Sequence, residues 1–255
     1  MLADPDYEVK MLVNPGETLN DDGKLKHKLR EEFGIERSEK AVMQFVDGDG
    51  RELDRAGWFV RLRAFEGDDG LQVTYKKRYD VDGDDVAGAF ERARADGFAD
   101  APEAYESQVE WGRDKMTLTV SLKASGGPRD PDSLDQPGDE QSREIALSGL
   151  PSVLEQDQQL APEGARGILE RARRYGPVFG ERWIGEWRDD ELFVEVWQVR
   201  SEDGAGEESL VEVSFKKKKH DAAERRRDDL RELLEKQGWL AARQTNKTPL
   251  ILSRY

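Results

Sequence analysis

The stretch Asp6-Tyr7-Glu8-Val9-Lys10 places charged and apolar residues in strict alternation near the start of this 255-residue chain. Successive side chains of a β-strand point to opposite faces, so Asp6, Glu8 and Lys10 share one face and the residues between them share the other. A lone strand of this kind usually turns its charged face to water. The stretch is informative because later strands repeat the pattern.

Five further predicted strands alternate in the same way. The polar side chains that share a face within one strand are Arg61 and Arg63; Thr74, Lys76 and Arg78; Glu106, Gln108 and Glu110; Glu191 and Glu195; and Glu212, Ser214 and Lys216. An open sandwich would leave these faces in water, whereas a closed barrel can turn them inward. Charges inside a barrel are tolerated where cations face anions or a ligand fills the space. The pattern therefore allows a tunnel with basic and acidic sectors.

The remaining pattern gives the order of elements. Alternating or β-rich runs predict the strands Tyr7–Val13, Val42–Asp47, Gly57–Phe65, Leu71–Tyr79, Tyr105–Trp111, Met116–Lys123, Arg182–Trp187, Leu192–Arg200, Ser209–Lys216 and Leu250–Ser253. Helical spacing predicts helices around residues 25–33, 86–93, 168–175 and 221–237. Residues 124–143, rich in Gly, Pro, Asp and Ser, predict a mobile loop inserted in a single domain over 1–255. Strands in hairpin order favour an antiparallel barrel or sandwich.

Composition narrows the class of partner. Acidic residues number 55 and basic residues 40, which gives a net charge of −15 and argues against nucleic-acid or anionic-membrane binding. An anionic ligand must then be held in a local basic pocket. The chain has no cysteine and two histidines, which excludes disulfides, a thiol nucleophile and a three-histidine metal site. No apolar run approaches the ~18 residues of a membrane span and no secretory signal is seen, so we expect a cytoplasmic protein.

Three short motifs in order resemble those of one superfamily. The run Asp6-x-Glu8-x-Lys10 resembles the Glu-x-Glu-x-Lys signature of the CYTH, or triphosphate tunnel metalloenzyme, superfamily. Residues 44–63, which end in Arg61-x-Arg63, resemble its strand–turn–strand segment, and residues 74–76 match its Thr-x-Lys strand. The ordered set covers the first third of the chain, with a looser correspondence to residue 216. The closing stretch, residues 238–255, resembles CYTH-like proteins of fungi.

This resemblance implies an α+β fold built on a closed antiparallel eight-stranded β-tunnel with peripheral helices. With the strand faces, it implies a substrate-binding set of Lys10, Arg61, Arg63, Lys76, Arg78, Arg182 and Lys216. It implies a set of ligands for Mg²⁺ or Mn²⁺ consisting of Asp6, Glu8, Glu110, Glu195 and Glu212. The catalytic residues would be Glu8, Lys10 and Lys76, because arginine and lysine bind phosphate oxygens while carboxylates hold a metal ion that orients water.

The chain departs from the family pattern at three positions, all on the metal side. Asp6 replaces the first glutamate of the signature, and Ser214 replaces an acid of a late Glu-x-Glu pair. Trp197 follows Glu195 where a further acid is expected. These departures affect metal binding and hydrolysis more than they affect anion binding.

The leading hypothesis is a metal-dependent phosphohydrolase, a triphosphatase in the simplest case, whose partner is a small anionic phosphorylated substrate. One alternative is a protein that binds an oligophosphate without hydrolysing it. Another is a biosynthetic enzyme acting on an organic diphosphate, such as an isoprenoid diphosphate, whose apolar tail would contact Trp197. The triplet Asn246-Lys247-Thr248 is a glycosylation sequon by spelling only, because no secretory signal accompanies it.

Overall fold

The computed structural model describes residues 3–101 and 104–255. Within these ranges it contains nine strands: β1 (Asp6–Val13), β2 (Arg37–Asp47), β3 (Trp58–Phe65), β4 (Gly70–Val81), β5 (Glu106–Trp111), β6 (Met116–Pro128), β7 (Arg173–Trp187), β8 (Asp190–Arg200) and β9 (Glu207–Lys217). They form one closed barrel in the order β1-β5-β6-β4-β3-β2-β7-β8-β9, and β9 pairs back onto β1. The predicted closed barrel is confirmed.

The number and direction of the strands differ from the prediction of eight antiparallel strands. Eight of the nine neighbouring pairs are antiparallel, but β1 and β5 run parallel, with Glu8 opposite Glu110. The reason is parity. Strand direction cannot alternate all the way around a closed ring with an odd number of members, so a nine-stranded barrel needs at least one parallel pair.

Helices surround the barrel. In the described part of the chain these are α1 (Pro15–Thr18), α2 (His27–Glu32), α3 (Glu52–Arg55), α4 (Val86–Ala95), α5 (Asp139–Ser148), α6 (Ser152–Glu155), α7 (Gly164–Glu170), α8 (His220–Lys236) and α9 (Lys247–Arg254), with a 3₁₀ turn at Gln158–Leu160. Among the described residues, no helix combines the length and the apolar character that crossing a membrane requires.

The strand β7 is longer than predicted and replaces the end of a predicted helix. Helix α7 stops at Glu170, so Tyr175 lies in β7 rather than on a helical face. Glycine and proline within residues 176–180 obscured the strand, because both residues are rare in regular strands. Gly180 is needed where it stands, since a Cβ there would lie 2.5 Å from the ring of Trp197.

The predicted final strand Leu250–Ser253 is wrong, because these residues belong to α9. Pro249 is the third residue of that helix, where its missing N–H removes no intrahelical hydrogen bond. Ile251 and Leu252 are buried in an apolar cluster that includes Trp197. Burial of one helical face explains the short apolar run, whose β-rich composition predicts a strand.

The segment 124–143, predicted to be a mobile loop, is regular at both ends. Strand β6 continues to Pro128 and α5 begins at Asp139. The irregular remainder is attached to the barrel, since Arg129 Nη1 donates to the carbonyl oxygen of Phe65 at 3.0 Å and Gln44 Nε2 donates to that of Pro137 at 3.0 Å.

The main apolar core lies outside the barrel, between its wall and the helices. Val9, Met11 and Val13 of β1 belong to it, together with Leu230 and Leu234 of α8, which packs against that strand. Burying each such side chain contributes about 1.5–3 kcal/mol. Because the apolar faces of the strands point outward, their alternate residues are free to carry charge into the barrel interior.

Candidate functional site

The barrel interior contains a cavity of about 510 Å³. All the predicted site residues line it: Asp6, Glu8, Lys10, Arg61, Arg63, Lys76, Arg78, Glu110, Arg182, Glu195, Glu212 and Lys216. The described lining contains nine basic and seven acidic side chains, an excess of two positive charges within a molecule of net charge −15. The placement of these residues in one cavity agrees with the alternation of the strands, and their individual roles stay predictions.

One side of the cavity, which we call the arginine wall, consists of Arg61, Arg63 and Arg78. In the described part of the chain, none of these three guanidinium groups has a carboxylate within ion-pair distance. Their partners are neutral: Arg61 Nη2 donates to Thr74 Oγ1 at 3.4 Å and Arg63 Nη2 donates to Gln72 Oε1 at 3.1 Å. The Nε atom of each is buried and has no hydrogen-bond partner among the described residues.

The charges of the arginine wall are therefore compensated only at longer range, by acids such as Glu195 and Glu8. Burial and then the neighbouring Arg61 guanidinium lower the pKa of Arg63, and burial lowers the pKa of Arg61. Aromatic rings support the wall, since the guanidinium carbon of Arg78 lies 4.6 Å from the ring centre of Phe59. Such guanidinium groups offer fixed pairs of N–H donors, which match the oxygens of a phosphate.

A second group of charged side chains in the cavity, which we call the lysine–glutamate end, consists of Lys10, Lys76, Lys247, Glu110, Glu195 and Glu212. Glu110 lies between two ammonium groups, with its two oxygens 2.5 Å from Lys10 Nζ and 2.5 Å from Lys76 Nζ. Burial alone would raise the pKa of Glu110, but Lys10 and Lys76 hold it well below its usual range. Burial alone would lower the pKa of Lys10, but Glu110, Glu212 and Glu8 raise it above its ordinary value.

Glu195 is similarly surrounded by donors. Arg182 Nη2 lies 2.8 Å from its Oε1, and Lys247 Nζ lies 2.5 Å from its Oε2. Trp197 Nε1 also donates to Oε2, at 3.0 Å. Against the effect of burial, Lys247 and then Arg182 hold the pKa of Glu195 well below its usual range. Glu212 contacts the same ammonium group, at 3.4 Å.

The mouth of the cavity is formed in part by Asp6, Glu8 and Lys216. Glu8 is half-buried opposite Lys216 on β9, while Asp6 and Lys216 are exposed. Neither Asp6 nor Glu8 takes part in an ion pair within the described residues. They are two residues apart on one strand, so both carboxylates project to the same side.

The predicted metal ligands thus fall into two groups. In the described ranges no three Asp, Glu or His side chains are arranged to hold a metal ion. Glu110, Glu195 and Glu212 contact lysine ammonium groups instead. Asp6 and Glu8 fit a different donor set, because Mg²⁺ commonly binds one or two carboxylates together with substrate phosphates and water.

A smaller cavity of about 150 Å³ shares Lys10, Glu110 and Glu212 with the main cavity. These three side chains therefore form a boundary between the two spaces. The smaller cavity is also lined by Gln244 and Asn246, in the segment that leads into α9.

Two site residues were missed by sequence reasoning. Lys247 and Thr248 both line the main cavity, and Thr248 Oγ1 accepts a hydrogen bond from Arg78 Nη2 at 3.1 Å. In the sequence both residues belong to a glycosylation sequon, and nothing in that triplet indicates that a charged and a polar side chain line the cavity. Trp197, a contact for an organic tail in one alternative, is on the inward face with Glu195 but is 1% exposed in an apolar cluster with Phe59 and is not among the residues that line the cavity.

The fold is shared with solved structures. No protein-family model matches the chain, and no curated protein matches its sequence. A putative adenylyl cyclase from Hippeastrum, described as revealing a dominant triphosphatase activity, is similar with a TM-score of 0.54 and 12% identity, over 96% of this chain and 94% of that one. A putative adenylate cyclase from Bacillus halodurans is similar with a TM-score of 0.53 and 13% identity, over 97% of each chain. At this level of identity the likeness is one of fold.

Proposed function

We propose that this chain binds a triphosphate or another oligophosphate in the tunnel and hydrolyses it with Mg²⁺ or Mn²⁺. The observation that carries the proposal is the arginine wall, where three half-buried arginines with buried Nε atoms have no carboxylate within ion-pair distance in the described chain. Burying charge without a counter-ion is unfavourable, so an anionic ligand would relieve it. The triphosphatase activity given for the Hippeastrum protein agrees with this ligand class.

In the proposed complex, Arg61, Arg63 and Arg78 bind the phosphate oxygens and fix the chain of phosphates along one side of the tunnel. Lys76 lies beside them, over the same Phe59 ring as Arg78, where its ammonium group adds positive charge next to Glu110. Asp6 and Glu8 would hold a divalent ion together with phosphate oxygens, and that ion would neutralise charge on the terminal phosphoryl group. The second oxygen of the Glu8 carboxylate would accept a hydrogen bond from a water molecule and orient it.

The test is phosphate release from inorganic tripolyphosphate with and without Mg²⁺ or Mn²⁺. Glu8→Gln keeps the shape of the side chain but removes its charge, so it should reduce turnover by about 100-fold or more. Calorimetric binding of tripolyphosphate without metal should be unchanged or slightly tighter, because one repelling carboxylate is gone. Glu106→Gln is the matched control, since Glu106 also lines the cavity but pairs with Lys123.

Turnover at the wild-type rate in Glu8→Gln would show that the hydrolytic part of the proposal is wrong. A wild-type protein that binds tripolyphosphate and releases no phosphate would instead support the non-hydrolytic alternative. Lysine ammonium groups contact Glu110, Glu195 and Glu212. These contacts favour the second candidate, because they occupy three of the five predicted metal ligands.

A further inference from the structure

Lys247 occupies the point where the two last acidic strands of the barrel meet. Glu195 of β8 and Glu212 of β9 are direct cross-strand partners with side chains about nine-tenths buried. Lys247 Nζ lies 2.5 Å from an oxygen of Glu195 and 3.4 Å from an oxygen of Glu212. One ammonium group therefore bridges two carboxylates that belong to neighbouring strands.

Two buried carboxylates in such a position require a cation between them. Without one, like charges a few ångströms apart repel, and the pair would bind a proton or a metal ion. Oxygen ligands from two carboxylates are also the donor type that Mg²⁺ and Mn²⁺ prefer. The ammonium group thus lies where this pair of acids would otherwise hold a divalent ion.

The ammonium group is fixed in place by the rest of α9. Ile251 and Leu252 anchor the helix in the apolar cluster that includes Trp197 and Phe59, and Tyr255 Oη accepts a hydrogen bond from the backbone N–H of Arg200 at 3.1 Å. On the cavity side, Thr248 is bonded to Arg78 of the arginine wall. Lys247 therefore cannot leave the acids as a free ion can, unless the helix moves.

We propose that Lys247 is a tethered cation that takes the place of a divalent metal ion between Glu195 and Glu212. The tunnel then needs an exchangeable cation only at Asp6 and Glu8, and its far end is neutral without metal. This inference concerns the same cavity as the proposed function and adds to it. It says that an exchangeable cation is needed at Asp6 and Glu8, and that none is needed between Glu195 and Glu212. It can be tested without a phosphate ligand.

The experiment is a titration with Mn²⁺ in the absence of phosphate, followed by electron paramagnetic resonance. Wild-type protein should show no Mn²⁺ binding that depends on Glu212, because Lys247 and Arg182 together already neutralise the pair. Lys247→Met should create a site whose Mn²⁺ affinity is higher than that of the wild type by about tenfold or more. The double variant Lys247→Met with Glu212→Gln should lose that site, and Lys247→Arg should not create it.

Circular dichroism would establish that each variant is folded, and Lys247→Gln provides a second neutral side chain if the methionine variant is not. Lack of Mn²⁺ gain in a folded neutral variant would overturn the inference. The wild type gives an independent test, since Mn²⁺ binding that Glu212→Gln removes from otherwise unaltered protein would also overturn it. Failure of tripolyphosphate to bind would contradict the proposed function but would leave the Mn²⁺ result as it stands.

Discussion

The arginine wall and the lysine–glutamate end bury charge in opposite ways within one cavity. Each glutamate of the lysine–glutamate end contacts at least one ammonium group, at 2.5–3.4 Å. The guanidinium groups of the arginine wall contact only neutral oxygens such as those of Thr74, Gln72 and Thr248. One end is electrostatically complete without a ligand, and the other is not.

Because of this difference, we expect charges of the lysine–glutamate end to affect the stability of the fold and charges of the arginine wall to affect ligand binding. Removing a charge from the complete end leaves its partners buried and uncompensated, which destabilises the fold. Removing a charge from the arginine wall relieves repulsion in the ligand-free protein and weakens only the bound state. The apolar core outside the barrel stabilises the barrel strands in the ligand-free protein as well, because this core does not depend on what fills the interior.

The largest effect should follow from Glu110→Gln. The amide leaves Lys10 and Lys76 without their shared carboxylate, and breaking a buried ion pair in this way lowers the free energy of unfolding by about 3–5 kcal/mol. Urea unfolding at pH 7 measures the difference. Glu106→Gln is the control, because its pair with Lys123 is exposed and is worth only about 0–1 kcal/mol. An equal loss of unfolding free energy in the two variants would contradict the view that the charges of the lysine–glutamate end stabilise the fold.

The same interaction gives a pH dependence. The pKa of Glu110 is depressed in the folded protein, so its stabilising effect is present above the pKa of an unfolded glutamate, about 4.3. That effect is lost as the pH falls through the lower, folded-state value. The stability difference between wild type and Glu110→Gln should therefore shrink as the pH is lowered from 5 toward 2, and a constant difference would assign the loss to packing.

The second effect concerns binding alone. Arg63→Ala removes charge-assisted hydrogen bonds to phosphate, so the affinity for tripolyphosphate should fall by about 10- to 100-fold, which corresponds to about 1.5–3 kcal/mol. Its free energy of unfolding without ligand should equal or exceed that of the wild type. Calorimetry and urea unfolding measure the two quantities. Arg63→Lys keeps the charge but not the paired donors, so its affinity should lie between those of the other two proteins.

The smallest effect is expected at the mouth. Lys216 is exposed, so Lys216→Ala should weaken tripolyphosphate binding by less than about threefold at low salt. The difference from wild type should vanish near 1 M salt, where the screening length is about 3 Å. The effect of Arg63→Ala should persist at that salt concentration, because a buried charge is screened much less. A salt-independent loss in Lys216→Ala would place this lysine deeper in the site than the structure does.

The barrel wall could be predicted from the sequence because alternation of charged and apolar residues is a local signal. Nine predicted strands overlap the nine observed ones, and the in-phase polar faces all line one cavity. The start of β7 could not be predicted, because Gly180 is required by the ring of Trp197, a residue distant in the sequence. The number and direction of the strands likewise depend on how the barrel closes, which no single segment of the sequence indicates.

The site was predictable where its residues lie on barrel strands and not where they come from elsewhere. Arg61 and Arg63 follow from the phase of β3. Lys247 is the first residue of the short apolar helix α9, and nothing in its sequence neighbours indicates that it lines the barrel cavity. The pairing of Glu195 with Lys247 rather than with metal is a consequence of that tertiary contact, so no local pattern encodes it.

The ring closure between β1 and β9 has a consequence for synthesis on the ribosome. β1 is made first and gains β5 on one edge, but its other edge must wait for β9, about 200 residues later. At roughly 5–20 residues per second, the nascent chain carries that open strand edge for about 10–40 s. Unpaired edges invite association with other chains, so this interval is the vulnerable part of the life of the protein. Lys247 emerges later still, so Glu195 has Arg182 as its partner before α9 docks, whereas Glu212 gains its ammonium contact only then.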